Sequence, residues 1–156
     1  MAGKGLEGVI VGQSKLSDID GEVGELIYAG YDIDDLARNT TFEEVCYLLW
    51  NGELPNREQL EGFKRELGAQ ARLDDQVLAV LRTLPGDADP MAVLRTAVSS
   101  LGTFDAQADD ITAGEIRRKA LYLTAVTPTL VAAYARVRRG QAPLQPREGV
   151  GVAANF

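Results

Sequence analysis

No histidine occurs in the 156 residues of this chain. Its absence removes the side chain that titrates nearest neutrality, the commonest general acid–base group and the commonest nitrogen ligand for metals. Lysine and carboxylates can still move protons, but a self-contained enzyme becomes the less natural reading. Cys46 is the single cysteine, so no intramolecular disulfide and no thiolate metal cluster can form, and a reducing, cytoplasmic setting is expected. Positive charge is also scarce. Sixteen Lys and Arg face 23 Asp and Glu, leaving a net charge of -7. That balance argues against non-specific binding to nucleic acid, which needs a basic footprint, and against anionic membranes. The opening Met1-Ala2-Gly3-Lys4-Gly5 lacks the apolar run of a signal peptide. No internal repeat or low-complexity tract appears. What is present suits an ordinary globular chain with a genuine core, 46% hydrophobic and 25% charged.

The chain reads as one partial domain, mainly α, opened by a short antiparallel strand pair. Residues 5–31 are glycine-rich, with extended patterns at Val9-Ile10-Val11 and Leu26-Ile27-Tyr28 and a turn signal at Asp20-Gly21 between them. Residues 32–139 read as helices. A short helix over 32–38 leads to Thr41 and Glu44, spaced as a capping box, with Phe42, Val45, Leu48 and Leu49 following at helical spacing until Asn51-Gly52. Asn56 with Gln59 offers a second cap, ahead of Leu60, Phe63 and Leu67. Asp74 can cap another helix, with Val77, Leu78, Val80 and Leu81 inward, which Pro85-Gly86 stops. Asp89-Pro90 places proline at a first helical position, where its missing N–H costs nothing, and that helix should end at Gly102. Thr112 and Glu115 form a third box, opening the longest helix, which ends among Arg136, Arg138 and Arg139, where cations suit the dipole. Residues 140–156 read as a loop tail, with Pro143, Pro146, Gly149 and Gly151.

That last helix carries no charge over the 16 residues 120–135, bracketed by Lys119 and Arg136. The stretch is shorter than the roughly 18–20 apolar residues of a spanning helix, and Pro128 should kink it. A helix apolar nearly all round needs cover on most sides, and a chain of this size has few elements to give. Burial against a partner chain is therefore expected over burial within one chain, with Leu130 as the residue expected to bear on the partner.

Several motifs invite chemistry and are better read otherwise. Gly3, Gly5 and Gly8 match the dinucleotide-binding spacing, but no strand precedes them and an extended segment follows. Asp18, Asp20, Glu22 and Glu25 fail the calcium-loop register, because Val23 and Ala29 stand where glycine and glutamate are needed. Asp32, Asp34, Asp35, Glu43 and Glu44 lie where helix first turns favour acidic residues. Asp105, Asp109 and Asp110 fall in an interhelical loop. Cys46, on an apolar stripe and without a histidine to activate it, reads as packing, as do Tyr47 and Trp50.

Taken together, several segments resemble the citrate synthase family in its bacterial and archaeal form, including 2-methylcitrate synthase. They are Gly5-Leu6-Glu7-Gly8-Val9-Ile10-Val11, Ser17-Asp18-Ile19-Asp20-Gly21, Gly24-Glu25-Leu26-Ile27-Tyr28 and Gly30-Tyr31-Asp32-Ile33. Phe42-Glu43-Glu44-Val45, Tyr47-Leu48-Leu49-Trp50-Asn51-Gly52-Glu53-Leu54-Pro55 and Pro90-Met91-Ala92-Val93-Leu94-Arg95-Thr96-Ala97-Val98 continue it, as far as Ala153-Ala154-Asn155-Phe156. Family members commonly have Ser-His before that last motif, where this chain has Gly151-Val152.

The resemblance implies the first part of the family's large helical domain. It implies condensation of acetyl-CoA with oxaloacetate to citrate in the tricarboxylic acid cycle, an acyl transfer that needs no metal and treats acetyl-CoA as substrate. By the same resemblance the catalytic histidines and aspartate, and the CoA-binding segments, match positions beyond Phe156. No catalytic, cofactor-binding or metal-binding residue is therefore assigned here, and no cofactor is expected. The helices at 90–102 and 115–139 match those that pack across the family's dimer interface, implying a homo-oligomer, with no nucleic acid or membrane partner. The expectation is a scaffold inactive alone. One subunit of a split enzyme, completed by a second chain, and a non-catalytic module binding a full-length relative remain the alternatives.

Overall fold

In the computed structural model, which describes residues 12–156, Asp20 closes the turn expected at Asp20-Gly21. Its carboxylate accepts from the N–H of Glu22 at 2.9 Å and of Val23 at 3.2 Å, and Gly24 N–H donates to its carbonyl. The turn joins β1 (Ser17–Asp20) to β2 (Glu25–Tyr28), and β3 (Tyr31–Asp32) completes an antiparallel sheet in the order β1-β2-β3. Ser17 lies opposite Tyr28 and Ile19 opposite Leu26. Across the Asp20-Gly21 turn, the strand paired with Leu26-Ile27-Tyr28 is thus Ser17–Asp20, an exposed strand whose single apolar residue, Ile19, left no run to recognise. The pattern at Val9-Ile10-Val11 and the glycines at 3, 5 and 8 lie outside the described residues.

Helices follow. Asp32 accepts from Asp34 N–H at 2.8 Å and starts α1 (Ile33–Asn39). Thr41 and Glu44 form the expected capping box at the head of α2 (Phe42–Asn51): Glu44 Oε2 accepts from Thr41 N–H at 2.7 Å, and Thr41 Oγ1 accepts from Glu44 N–H at 3.4 Å. Gly52 ends α2 at φ 82°, the left-handed region, and returns its N–H to Leu48. Leu48 is buried as its spacing suggests, whereas Phe42 is exposed and Glu43, in the first turn, is buried.

The contacts group into two compact units, Met1–Asn56 and Arg57–Phe156, where the sequence reads as one partial domain. The second unit holds α3 (Arg57–Gln70), α4 (Asp75–Thr83), α5 (Pro90–Phe104), α6 (Ala113–Val137) and α7 (Val152–Asn155). Asp74 and Asp89 cap α4 and α5 as expected. The core joins Val77, Leu78 and Leu81 of α4 to Val93, Ala97 and Leu101 of α5 and to Val126, Leu130, Ala133 and Tyr134 of α6. Tyr134 donates its hydroxyl to Ala88 O at 3.2 Å, satisfying the one polar atom it carries into that core.

Three expectations change. Thr112 stands at the N-cap of α6 but makes no side-chain cap bond, because its hydroxyl turns to Asp110 and Glu115 is engaged by Arg118. α5 runs past Gly102 to Phe104, since one glycine inside a helix costs only about 1 kcal/mol. The tail is not all loop: α7 is a single turn, too short to show a period, and Asn155 anchors it by bonding Arg147 N–H, Arg147 O and Val150 O. Pro128 lies inside α6, whose helical assignment is continuous across it.

Candidate functional site

Residues singled out as possible chemistry are placed in structural roles. Asp20 holds a hairpin turn, while Asp32 and Glu44 serve as caps. Asp34 pairs with Arg38 one helical turn away, at 3.3 Å and largely in solvent. Asp18 and Glu25 lie on neighbouring strands, opposite Ile27 and Asp20 respectively. Cys46 is half-buried in α2, and burial, aided by the nearby Glu43 carboxylate, pushes its thiol up to about 11. At neutral pH it is a thiol rather than a nucleophilic thiolate. Among the described residues no group of three or more Cys, Asp or Glu is placed to hold a metal ion.

The densest polar cluster lies between α5 and α6. Arg118 Nη2 donates to Asp105 Oδ2 and its Nε to Glu115 Oε2, both at 2.6 Å. Asp105 also accepts from Gln107 N–H at 2.9 Å, and Asp110 from Thr112 N–H at 2.8 Å. The guanidinium, then the Gln107 amide, hold Asp105 below the usual carboxylate range. The Thr112 amide and hydroxyl do the same for Asp110. Lys119 Nζ donates to the carbonyls of Ala108, at 2.7 Å, and Asp110. Carboxylates held ionised by donors are poor proton acceptors near neutrality, so this cluster fixes a loop and is not built to move protons. The roles of Arg118 and Lys119 in this loop left no mark in the sequence, because Asp105, Ala108 and Asp110 stand 9 to 13 residues away from them, a separation with no periodic signature.

A shallow depression on the outer side of α5 is lined by Arg95, Thr96, Ser99, Ser100 and Thr103. Thr96, Ser100 and Thr103 each donate a hydroxyl to a carbonyl of their own helix. On α6 the charge-free stretch 120–135 divides into faces. Ala125, Val126, Leu130, Ala133 and Tyr134 are buried within the chain, while Leu123 and Val131 remain 39% and 36% exposed. Leu130, expected to face a partner, is 1% exposed inside the core of its own chain. Among the described residues α6 is also the one helix long and apolar enough to cross a membrane, by length and composition alone. Its buried Val126, Leu130, Ala133 and Tyr134 belong to the core shared with α4 and α5.

Comparison with known proteins places these features in a family. The family model for "Citrate synthase, C-terminal domain" matches residues 5–156. A curated citrate synthase of Haloferax volcanii is 52% identical over 98% of this chain and 41% of its own length. A 2-methylcitrate synthase of Mycobacterium tuberculosis is 43% identical over 98% of this chain and 38% of its own. The crystal structure of citrate synthase from Pyrobaculum aerophilum superposes with a TM-score of 0.86 at 38% identity, over 97% of this chain and 40% of that one. The chain thus spans about two-fifths of the length of the relatives it matches. By its matched residues and by its fold, it belongs to the citrate synthase family.

Proposed function

We propose that this chain is scaffold from the opening part of a citrate- or 2-methylcitrate-forming enzyme and does not catalyse condensation alone. One observation carries the reading: nearly the whole chain aligns with 41% of a citrate synthase, and that aligned length contains no histidine. Condensation requires a proton to leave the methyl carbon of a thioester, and the carboxylates of Asp32, Glu44 and Asp105 are committed to a cap, a capping box and an ion pair. The reaction would need groups from a second polypeptide or from further chain. The setting in this reading is cytoplasmic.

The test is thiol release from acetyl-CoA with oxaloacetate, by the chain alone. Release at the rate of a protein-free blank supports the proposal, and turnover above it refutes it. A second arm adds a polypeptide bearing the remaining three-fifths of a relative. Activity appearing only in the mixture identifies the chain as one subunit of a split enzyme.

The same reading includes a partner for α6. Leu123 and Val131 lie about two helical turns apart, exposed within the charge-free stretch whose residues Val126, Leu130 and Tyr134 are buried. Cover by a second copy of the chain would remove both from water.

A further inference from the structure

The α5–α6 connection is closed by two adjacent cations that divide its oxygens between them. Arg118 takes side chains, the carboxylates of Asp105 and Glu115. Lys119 takes main chain, the carbonyls of Ala108 and Asp110. The loop's remaining bonds are short-range: Ala108 N–H to Asp105 O, Asp110 N–H to Gln107 O, and the Asp105 and Asp110 carboxylates each accepting from an amide two residues on. Such bonds shape a turn without tying it to the helix behind. Apolar anchoring is also lacking, because Ala106, Gln107, Ala108 and Asp109 are exposed and Ile111 is 83% exposed.

We propose that Arg118 and Lys119 form a clasp, with Lys119 as the half that holds the main chain: neutralising the ammonium releases residues 106–112, while Arg118 keeps Asp105 and the core beneath stays closed. The reason lies in donor number. An ammonium offers three donors in a compact head and can serve two carbonyls at once. A neutral side chain of similar length offers fewer or none, and carbonyls left without that donor turn to water. The loop opens locally because nothing apolar holds it. This inference does not depend on the chain's catalytic status.

Hydrogen–deuterium exchange on the 156-residue chain tests it, comparing a loop peptide over 105–112 with a core peptide over 125–134. Lys119→Met should speed loop exchange by about tenfold or more, the scale expected for loss of charged hydrogen bonds, and leave the core peptide unchanged. Lys119→Arg, which keeps charge and donors, should stay within about twofold of wild type, and Lys119→Gln should fall between. Loop exchange unchanged in the Met and Gln variants overturns the proposal. So does core exchange rising in step with the loop, which would make Lys119 a support of the whole fold. Should the Met variant fail to fold, the order of Gln against Arg decides the question by the same criteria.

Discussion

Gln145 pairs its side-chain amide with both main-chain polar groups of Leu73. Oε1 accepts from Leu73 N–H and Nε2 donates to Leu73 O, each at 3.3 Å. One side chain thereby does what a neighbouring strand would do, and it does so beside a leucine only 2% exposed. The segment between α3 and α4 gains bonds that no regular element supplies. Gln145→Ala should destabilise the chain by about 1–3 kcal/mol, because a part-buried donor and acceptor lose their partner together. Gln145→Glu should recover none of the donation to Leu73 O. Urea unfolding measures both, and an unchanged midpoint in the alanine variant would remove the pair from the list of stabilising contacts.

The core and exposed faces of α6 should respond differently to truncation. Leu130→Ala opens a cavity at a residue 1% exposed and should cost about 2–5 kcal/mol. Leu123→Ala, at 39% exposure, should cost far less in a dilute monomer. If a second copy covers α6, Leu123→Asp with Val131→Asp should lower the molar mass seen by light scattering while far-ultraviolet circular dichroism holds. Equal mass for that double variant and wild type would count against the proposed cover.

Acid should loosen the α5–α6 connection. Asp105 and Asp110 have folded pKa values below their ordinary ones. Their contribution to stability is therefore fully present above the unfolded carboxylate pKa of about 3.9 and is lost as pH falls through the lower folded values. The thermal midpoint of wild type should drop over that acidic range more steeply than that of Asp105→Asn. Parallel curves would show that the Arg118 pair does not contribute.

The Cys46 thiol should be slow to alkylate. With its pKa pushed up to about 11, the thiolate fraction at neutral pH falls by about a hundredfold or more below that of an ordinary cysteine. Iodoacetamide modification of the folded chain should therefore rise with pH to beyond 10. In urea it should follow the curve of an ordinary cysteine. A folded-state midpoint near 8.5 would contradict the burial assigned to this side chain.

Local signals carried most of the helical reading. Thr41 with Glu44, Asp74, and Asp89 with Pro90 each start a helix where their chemistry says they should. Capping is a contact over two or three residues and is written in neighbouring letters. Thr112 shows the limit of that logic: the right residue at the right place, with its hydroxyl and its glutamate both drawn elsewhere. Contacts across longer separations left no trace in the spacing, such as Gln145 with Leu73, Lys119 with Ala108, and Tyr134 with Ala88. The apolar stretch 120–135 announced that it needed cover. Which of its faces the chain itself would cover depended on the placement of α4 and α5, and Leu130 fell on the opposite side from the one expected.

The division into two units also gives the first an optical label of its own. Trp50, the single tryptophan, belongs to Met1–Asn56, and Arg57–Phe156 has Tyr122 and Tyr134 as its phenolic chromophores. Indole emission excited at the red edge follows the first unit alone, while far-ultraviolet ellipticity, to which α3, α4, α5 and α6 contribute most of the helix, follows chiefly the second. Superimposed melting curves would define one cooperative body, and displaced curves two that melt in sequence.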